Sequence, residues 1–299
     1  MGQDLFREDL WFRSLIELGC DIVHEDLEKI CLRGPETELI KAKVLQTLLV
    51  TVCLGYLRRL EEKGIKPDIV LGHSLGEITS LAASGVVSPE DALRIAAKRG
   101  ELMDMVASTC NGGMLAVLFV SLENVKILLD RIGDPNRLVL ANDNAPDQVV
   151  ISGDMQLIEK FQSIITEERL GKFKRVPVIG PWHSPYMEQA RGIFESWVEH
   201  VSFNAPSIPI VMNALARTEQ NPRIIKHLVT YQLTSPVFWR ESMLFLKTNG
   251  VDKIFEIGPG RVLSGLARVN GFKKETTIYN INNLNGVNIA SSELALLSN

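Results

Sequence analysis

The sequence predicts an α/β fold, and three patterns along its 299 residues indicate it. Apolar residues recur at helical spacing from Leu39 to Val52, which predicts a long helix that continues towards Glu62. The apolar run at 67–72 ends in glycine, as buried parallel strands often do. Between 113 and 180, helical and alternating patterns follow one another at short intervals. A larger α/β domain with a smaller unit inserted is therefore expected.

The elements of the larger domain begin with helices. We predict that the first 62 residues are helical and that Gly64 closes the last of these helices as a C-terminal cap. A helix from Gly76 to about Ala83 should follow the strand at 67–72. The next helix should start at Ser88-Pro89-Glu90-Asp91, because serine is a good N-cap, proline suits the first helical position and acids favour the positive helix end.

The inserted unit is predicted from a β-α-β-β-α-β order of patterns, which is the order of a ferredoxin-like subdomain. Residues 142–146 contain Asn, Asp and Pro and are predicted to form the turn between its second and third strands. The strands are expected at 113–121, 137–141, 148–152 and 173–179, and the helices at 122–132 and 155–170.

The larger domain resumes after this unit. We assign residues 1–112 and 181–299 to the larger domain and residues 113–180 to the ferredoxin-like one. The remaining elements are a helix at 186–201, a strand at 208–213, helices around 222–248 and a strand at 253–257 that ends in Gly-Pro-Gly.

Composition excludes several classes of function. Apolar residues make up 45% and charged residues 23%, the balance of a globular chain rather than a disordered one. The net charge of −4 argues against a nucleic-acid partner. No apolar run reaches the length of about 18 residues that spans a bilayer, and the N-terminus does not have the pattern of a signal peptide. The four cysteines are spaced neither as C-x-x-C pairs nor as metal ligands, so we expect small buried side chains in a reducing compartment. A monomeric, cytoplasmic protein without a metal or cofactor is predicted.

One short motif indicates chemistry. Gly72-His73-Ser74-Leu75-Gly76 matches G-x-S-x-G between a predicted strand and a predicted helix, which is the context that a nucleophilic serine requires. The two glycines should leave room for the backbones that crowd the turn. The N–H group of Leu75, at the helix N-terminus, could face a developing oxyanion. The alternative is a tight turn with a structural role only.

A nucleophilic serine needs a base, and five histidines are available. His73 lies within the motif and should point away from the serine hydroxyl, while His24, His200 and His227 have the charged surroundings of surface residues. His183 lies in a loop rich in Gly and Pro just after a predicted strand. It is the candidate base, and the alternative is a histidine that only supports the loop.

Several motifs in the same order resemble those of the malonyl-CoA:acyl-carrier-protein transacylases. This family provides the acyltransferases of fatty-acid and polyketide synthesis, including free-standing polyketide acyltransferases, and the resemblance covers nearly the whole chain. The segments that carry it are 72–77, 98–103 with Arg99, 112–114, 141–146, 148–153, His183, 232–237 with Gln232, and 256–260.

The resemblance implies an α/β-hydrolase-like core with one parallel sheet and a ferredoxin-like insertion, and it implies a mechanism. Ser74 would attack the malonyl thioester, and His183 would take the proton and return it to the leaving thiol. The family orients this histidine through a main-chain carbonyl, and the matching residue is Gln232. Arg99 would bind the free carboxylate of the malonyl group with its planar guanidinium. The acyl group would pass from CoA to the phosphopantetheine thiol of a carrier protein.

Further residues match the pocket of the family. Gln46 matches a glutamine that lines the pocket, and the alternative is an ordinary helix residue. Asn142 and Asn144 are either acyl or CoA contacts or simple turn residues. Trp182 stands where the family has a small residue or Phe, so it should narrow the space beside the acyl α-carbon and favour malonyl over branched groups. The alternative for Trp182 is an indole that packs in the core.

The start of the chain departs from the family. Members open with a strand and a Gly-Gln-Gly-Ser-Gln loop, whose first glutamine gives the second donor of the oxyanion hole. Residues Met1 to Phe6 resemble the segment just after that loop, so we expect the first strand and this donor to be absent and Gln3 not to replace them. Three explanations stay open: a start assigned too late or a shortened chain, another segment in place of the loop, or a degenerate protein. Losing one oxyanion donor typically lowers kcat about 100- to 1000-fold.

Two other classes of function stay open, and the missing loop motivates only the second of them. One is an acyl hydrolase that clears carrier-protein thioesters, although such relatives tend to lack the arginine at position 99. The other is a non-catalytic scaffold that binds a carrier protein. A generic α/β-hydrolase would need a histidine near the C-terminus, and none follows His227.

Overall fold

The N-terminal third of the molecule is helical, as predicted. A computed structural model describes residues 1–297. Helix α5 is the long helix expected from the apolar spacing, and Gly64 just beyond it has a left-handed φ of 78°. Ser88 caps α7 by accepting a hydrogen bond from the Asp91 N–H, also as predicted. The elements are α1 (Leu5–Glu8), α2 (Leu10–Val23), α3 (Leu27–Arg33), α4 (Glu36–Leu39), α5 (Ala42–Glu62), β1 (Val70–Leu71), α6 (Leu75–Ala83) and α7 (Pro89–Thr109).

The next six elements form a separate antiparallel sheet with two helices. They are β2 (Gly112–Leu118), α8 (Leu122–Ile132), β3 (Leu138–Ala145), β4 (Gln148–Asp154), α9 (Met155–Glu167) and β5 (Lys172–Arg175). The strand order is β3-β4-β2-β5, and every neighbouring pair is antiparallel. Residues of these strands and helices share one apolar cluster, which includes Leu115, Val125 and Phe161. The predicted β-α-β-β-α-β order is therefore confirmed.

Two predictions in this unit are wrong. Residues 142–145 are not a turn but the end of β3, because the Asp143 N–H donates to the Val237 carbonyl and the Val237 N–H donates to that of Ala141. Pairing with a distant segment thus outweighs the local turn preference of Asn and Asp. The strand expected at 173–179 ends at Arg175, two residues before Pro177, which cannot donate to a strand ladder.

The rest of the chain completes the larger α/β unit. After a 3₁₀ turn at Pro185–Met187, its elements are α10 (Glu188–Val198), β6 (Ile210–Met212), β7 (Arg217–Glu219), α11 (Pro222–Tyr231), α12 (Trp239–Thr248), β8 (Lys253–Ile257), α13 (Val262–Val269), β9 (Thr277–Ile281) and α14 (Leu284–Leu297). The sequence did not predict β7, β9, α13 or α14.

Parallel pairing in this unit occurs in two small sheets rather than one. Strand β1 pairs in parallel with β6, to which β7 adds an antiparallel neighbour, and β8 pairs in parallel with β9. The expected buried strand at 67–72 is only two residues long and half buried, because β1 has a strand partner on one side only. The molecule as a whole is a mixed α/β fold.

The burial expected for the four cysteines is found at only one of them. All four cysteines are free; Cys31 is buried, whereas Cys20, Cys53 and Cys110 are only partly covered. No helix within residues 1–297 is both long and apolar enough to cross a membrane. The same residues contain no group of three His, Cys, Asp or Glu side chains that could hold a metal ion.

Candidate active site

Ser74 lies at the sharp turn between β1 and α6. Its backbone φ of 50° and ψ of −104° lie in a region that residues other than glycine rarely adopt. A Cβ atom on Gly72 would lie 2.0 Å from the Gly76 carbonyl carbon, so only glycine fits there. A Cβ atom on Gly76 would meet nothing within 4 Å, so the expected steric need for glycine at that position is wrong.

Asn213 holds this strained turn from the neighbouring strand. It follows β6, and its side-chain oxygen accepts from the Ser74 N–H at 2.7 Å while its amide donates to the Gly72 carbonyl at 2.7 Å. The two bonds join the residues on either side of His73. Asn213 was not predicted as a site residue, although a polar residue at the carboxyl end of a strand that pairs with β1 is a recognisable signal.

Ser74 and His183 form the pair that the sequence singled out. The serine Oγ lies 2.8 Å from His183 Nε2, and His183 Nδ1 lies 2.8 Å from the main-chain oxygen of Gln232 and 3.2 Å from that of Ser235. Since both carbonyls only accept, Nδ1 carries the proton and Nε2 is left as an acceptor for the serine hydroxyl. Burial and the nearby Arg99 cation lower the pKa of His183 to about 3, so its imidazole is neutral at physiological pH.

The other histidines lie elsewhere. His73 Nε2 is 2.8 Å from Asn144 Oδ1, and its ring packs against Trp239, so it points away from the serine as expected. His24, His200 and His227 are exposed, which confirms the expectation of surface positions.

Arg99 contacts Ser74 directly from helix α7. The residue is 2% exposed, and Nη2 donates to Ser74 Oγ at 2.9 Å and to Gln232 Oε1 at 3.0 Å. Nη1 donates to Gln46 Oε1 at 2.8 Å. No carboxylate within residues 1–297 bonds to the guanidinium, and its Nε has no partner there. Burial lowers the pKa of Arg99 to about 10, which leaves a buried cation whose direct partners are all neutral.

A buried carboxylate lies behind these groups. Glu77, in the first turn of α6, is 1% exposed; its Oε1 accepts from Gln232 Nε2 at 2.8 Å and its Oε2 from the Asn213 N–H at 2.5 Å. Burial raises the pKa of Glu77 to about 7. No role was predicted for Glu77 from the sequence. Glu77 directly follows the serine motif, however, and a buried acid at a helix start is unusual.

The remaining candidates differ in what surrounds them. The Leu75 N–H, at the first position of α6, has no acceptor within residues 1–297. Trp182 is buried in the main core, with its ring against Gly180. Asn142 is buried on β3 and pairs through its backbone with Val237. Gln3 is exposed.

A serine at a strained strand-to-helix turn, bonded to a histidine, is the arrangement of enzymes that form acyl-serine intermediates. Residues 1–278 match the family model described as acyl transferase domain, and the chain belongs to that family.

Individual relatives are similar over most of the chain. The "Polyketide biosynthesis malonyl CoA-acyl carrier protein transacylase PksC" of Bacillus subtilis is 35% identical over 277 residues, which cover 92% of this chain and 93% of the relative. "Polyketide biosynthesis protein PksE" of the same species is 36% identical over 270 residues, 89% of this chain but 34% of that protein, so the chain spans about a third of its length. A solved complex described as "type II PKS acyl-carrier protein in complex with its malonyl-transacylase" has a chain that is 28% identical, with a TM-score of 0.91 over 98% of this chain and 94% of that one.

Proposed function

We propose that this protein is a malonyl-CoA:acyl-carrier-protein transacylase of fatty-acid or polyketide synthesis. The observation that carries the proposal is the buried guanidinium of Arg99, which bonds to the Oγ of Ser74 and to no carboxylate within residues 1–297. A buried charge is costly unless an opposite charge pairs with it, so this site favours an acyl group that brings its own carboxylate. The name of the PksC relative, which specifies malonyl transfer, supports the same substrate.

In the first half-reaction, Ser74 Oγ attacks the thioester carbonyl carbon while His183 Nε2 takes the hydroxyl proton. The geometry supports this assignment, because the two atoms are 2.8 Å apart and the imidazole is neutral. The carbonyl oxygen becomes an oxyanion that accepts from the free Leu75 N–H. The C–S bond then breaks, and His183 returns the proton to the thiolate of CoA. The product is malonyl-Ser74.

In the second half-reaction, the phosphopantetheine thiol of the carrier protein gives its proton to His183 and attacks the malonyl ester. The ester bond to Ser74 breaks, and the serine oxygen recovers a proton from the imidazolium. The Gln232 carbonyl keeps the ring in the required tautomer in both halves. No metal or cofactor takes part in this scheme, and the protein works as a cytoplasmic monomer.

Residues beside this reaction site have supporting roles in the proposal. Gln46 holds Nη1 of Arg99 and thereby the plane of the guanidinium. Asn144, which bonds to His73, and Asn142 on the same strand contact the acyl group or CoA. Trp182, next to the base, favours unbranched malonyl by filling space beside the acyl α-carbon.

We also propose a structural class for each of the two units of the fold. The strand order β3-β4-β2-β5 supports a ferredoxin-like class for residues 113–180. The strand–serine–helix turn supports an α/β-hydrolase-like class for residues 1–112 and 181–299.

Intact-mass measurement after incubation with malonyl-CoA tests the proposal. We expect one malonyl adduct in the wild type and none in Ser74→Ala. Ser196 is an exposed serine on helix α10, so Ser196→Ala is the matched control and should keep the adduct. Addition of a phosphopantetheinylated carrier protein should remove the adduct and charge the carrier. Release of free malonate without charging would instead support a hydrolase, and no adduct at all would support a scaffold.

A further inference from the structure

Glu77 links the two segments that hold the reacting groups. Through Oε1 it binds the side chain of Gln232, whose main-chain oxygen accepts from His183. Through Oε2 it binds the main chain of Asn213, which holds the serine turn. The main-chain N–H of Glu77 donates to the Ser74 carbonyl as part of the helix start, but its carboxylate bonds to neither Ser74 nor His183. The carboxylate can therefore affect the site only through Gln232 and Asn213.

The amide of Gln232 lies between an acceptor and a donor. Its Nε2 donates to Glu77 Oε1 and also, at 3.1 Å, to the Ser74 carbonyl, whereas its Oε1 accepts from Arg99 Nη2. An ionised carboxylate only accepts and a guanidinium only donates. The amide therefore has one orientation in which every neighbour is satisfied, with its oxygen towards Arg99.

We propose that Glu77 is a positioning residue for carboxylate recognition, because it fixes the Gln232 amide with its oxygen towards Arg99 and so holds the guanidinium beside Ser74. The proposal rests on the proposed function in one respect: Arg99 must be the group that binds the malonyl carboxylate. Oriented in this way, Arg99 keeps the N–H group that faces Ser74 available to a substrate. A reversed amide would turn an NH₂ group against the guanidinium and displace it.

Replacing Glu77 by glutamine should cause this reversal. The Asn213 N–H is part of the main chain and must keep an acceptor, so the new amide would place its oxygen there and its NH₂ group towards Gln232. Gln232 would then have to turn its own oxygen towards residue 77 and its NH₂ group towards Arg99. The hold on the serine turn by Asn213 would be retained.

The test measures kcat/KM for malonyl-CoA and acetyl-CoA in the wild type and in Glu77→Gln. We expect the malonyl-to-acetyl ratio of kcat/KM to fall at least about tenfold. Losing one hydrogen bond to a charged group has an effect of this magnitude. A role in folding alone would lower both values together and leave the ratio unchanged, and that result would overturn the proposal. Glu101→Gln, an exposed glutamate on α7, is the matched control and should keep the ratio.

Two further variants keep the result interpretable. Gln232→Met removes the amide oxygen but keeps the main-chain carbonyl for His183. It should therefore lower the malonyl-to-acetyl ratio even if Glu77→Gln does not fold. An unchanged ratio in Gln232→Met would also overturn the proposal. Arg99→Ala separates this inference from the proposed function. If the wild type does not prefer malonyl-CoA, the proposed function fails. If Arg99→Ala keeps that preference, Arg99 is not the group that binds the malonyl carboxylate, and the role of Glu77 fails with it. If Arg99→Ala loses the preference and Glu77→Gln keeps it, only the role of Glu77 fails.

Discussion

Removing the guanidinium of Arg99 should change which acyl group the site accepts. In Arg99→Ala, the buried carboxylate of a bound malonyl group would lose the guanidinium that pairs with it. Acetyl-CoA has no such carboxylate and should lose little. We therefore expect selective loss of malonyl transfer, and the quantity to follow is the ratio of kcat/KM for the two thioesters.

The size of the effect follows from the contacts of Arg99. Its guanidinium is 2% exposed and bonds to neutral oxygens of Gln46, Gln232 and Ser74. Water therefore competes little with a bound carboxylate, and a hydrogen bond to a charged group contributes about 1.5–3 kcal/mol. At 1.36 kcal/mol for each factor of ten, the ratio should fall by about 10- to 150-fold. The lost bonds to neutral groups affect both substrates alike and cancel in the ratio.

The assay follows CoA release from each thioester with the carrier protein as acceptor. Arg99→Lys should restore little, because an ammonium group cannot reproduce the planar fork. Arg94→Ala is the matched control, since Arg94 lies on the same helix but is exposed and paired with Asp91. Equal losses for both thioesters in Arg99→Ala would refute the reasoning and show that Arg99 supports the fold instead.

Four more predictions concern the neighbouring groups. His183→Ala should slow acyl-enzyme formation by about 100- to 10000-fold in stopped-flow measurements, and a larger loss in His73→Ala would contradict the assigned pair. Because the pKa of His183 is lowered to about 3, kcat/KM for acetyl-CoA should not decline between pH 8 and pH 5, as it would for a histidine of ordinary pKa. The pKa of Glu77 is raised to about 7, so this carboxylate gains a proton below that pH and the malonyl-to-acetyl ratio should fall there; a flat ratio would contradict its role. Gly72→Ala should lower the free energy of unfolding by at least about 1–3 kcal/mol in urea titrations, whereas Gly76→Ala should be neutral or stabilising by up to about 1 kcal/mol.

Much of the local structure can be predicted from the sequence. The apolar spacing of α5, the Ser88 cap of α7 and the β-α-β-β-α-β order of the smaller unit are all found as predicted. These features depend on residues close together in the chain. Residues 142–145 were predicted wrongly, because their conformation depends on pairing with Val237, which no local pattern reveals.

The proposed reacting groups could be named before the fold was known. The serine motif indicated Ser74, a loop rich in Gly and Pro indicated His183 as the candidate base, and the family resemblance added Arg99 and Gln232. Asn213 and Glu77 escaped notice because their importance lies in contacts with residues more than 130 positions away. A side chain's partners and its exposure to water are properties of the folded chain. They keep His183 neutral and leave Arg99 with no carboxylate bonded to it within residues 1–297. Local sequence patterns therefore indicate the candidate site residues, whereas the packing of distant segments determines their charges and orientations.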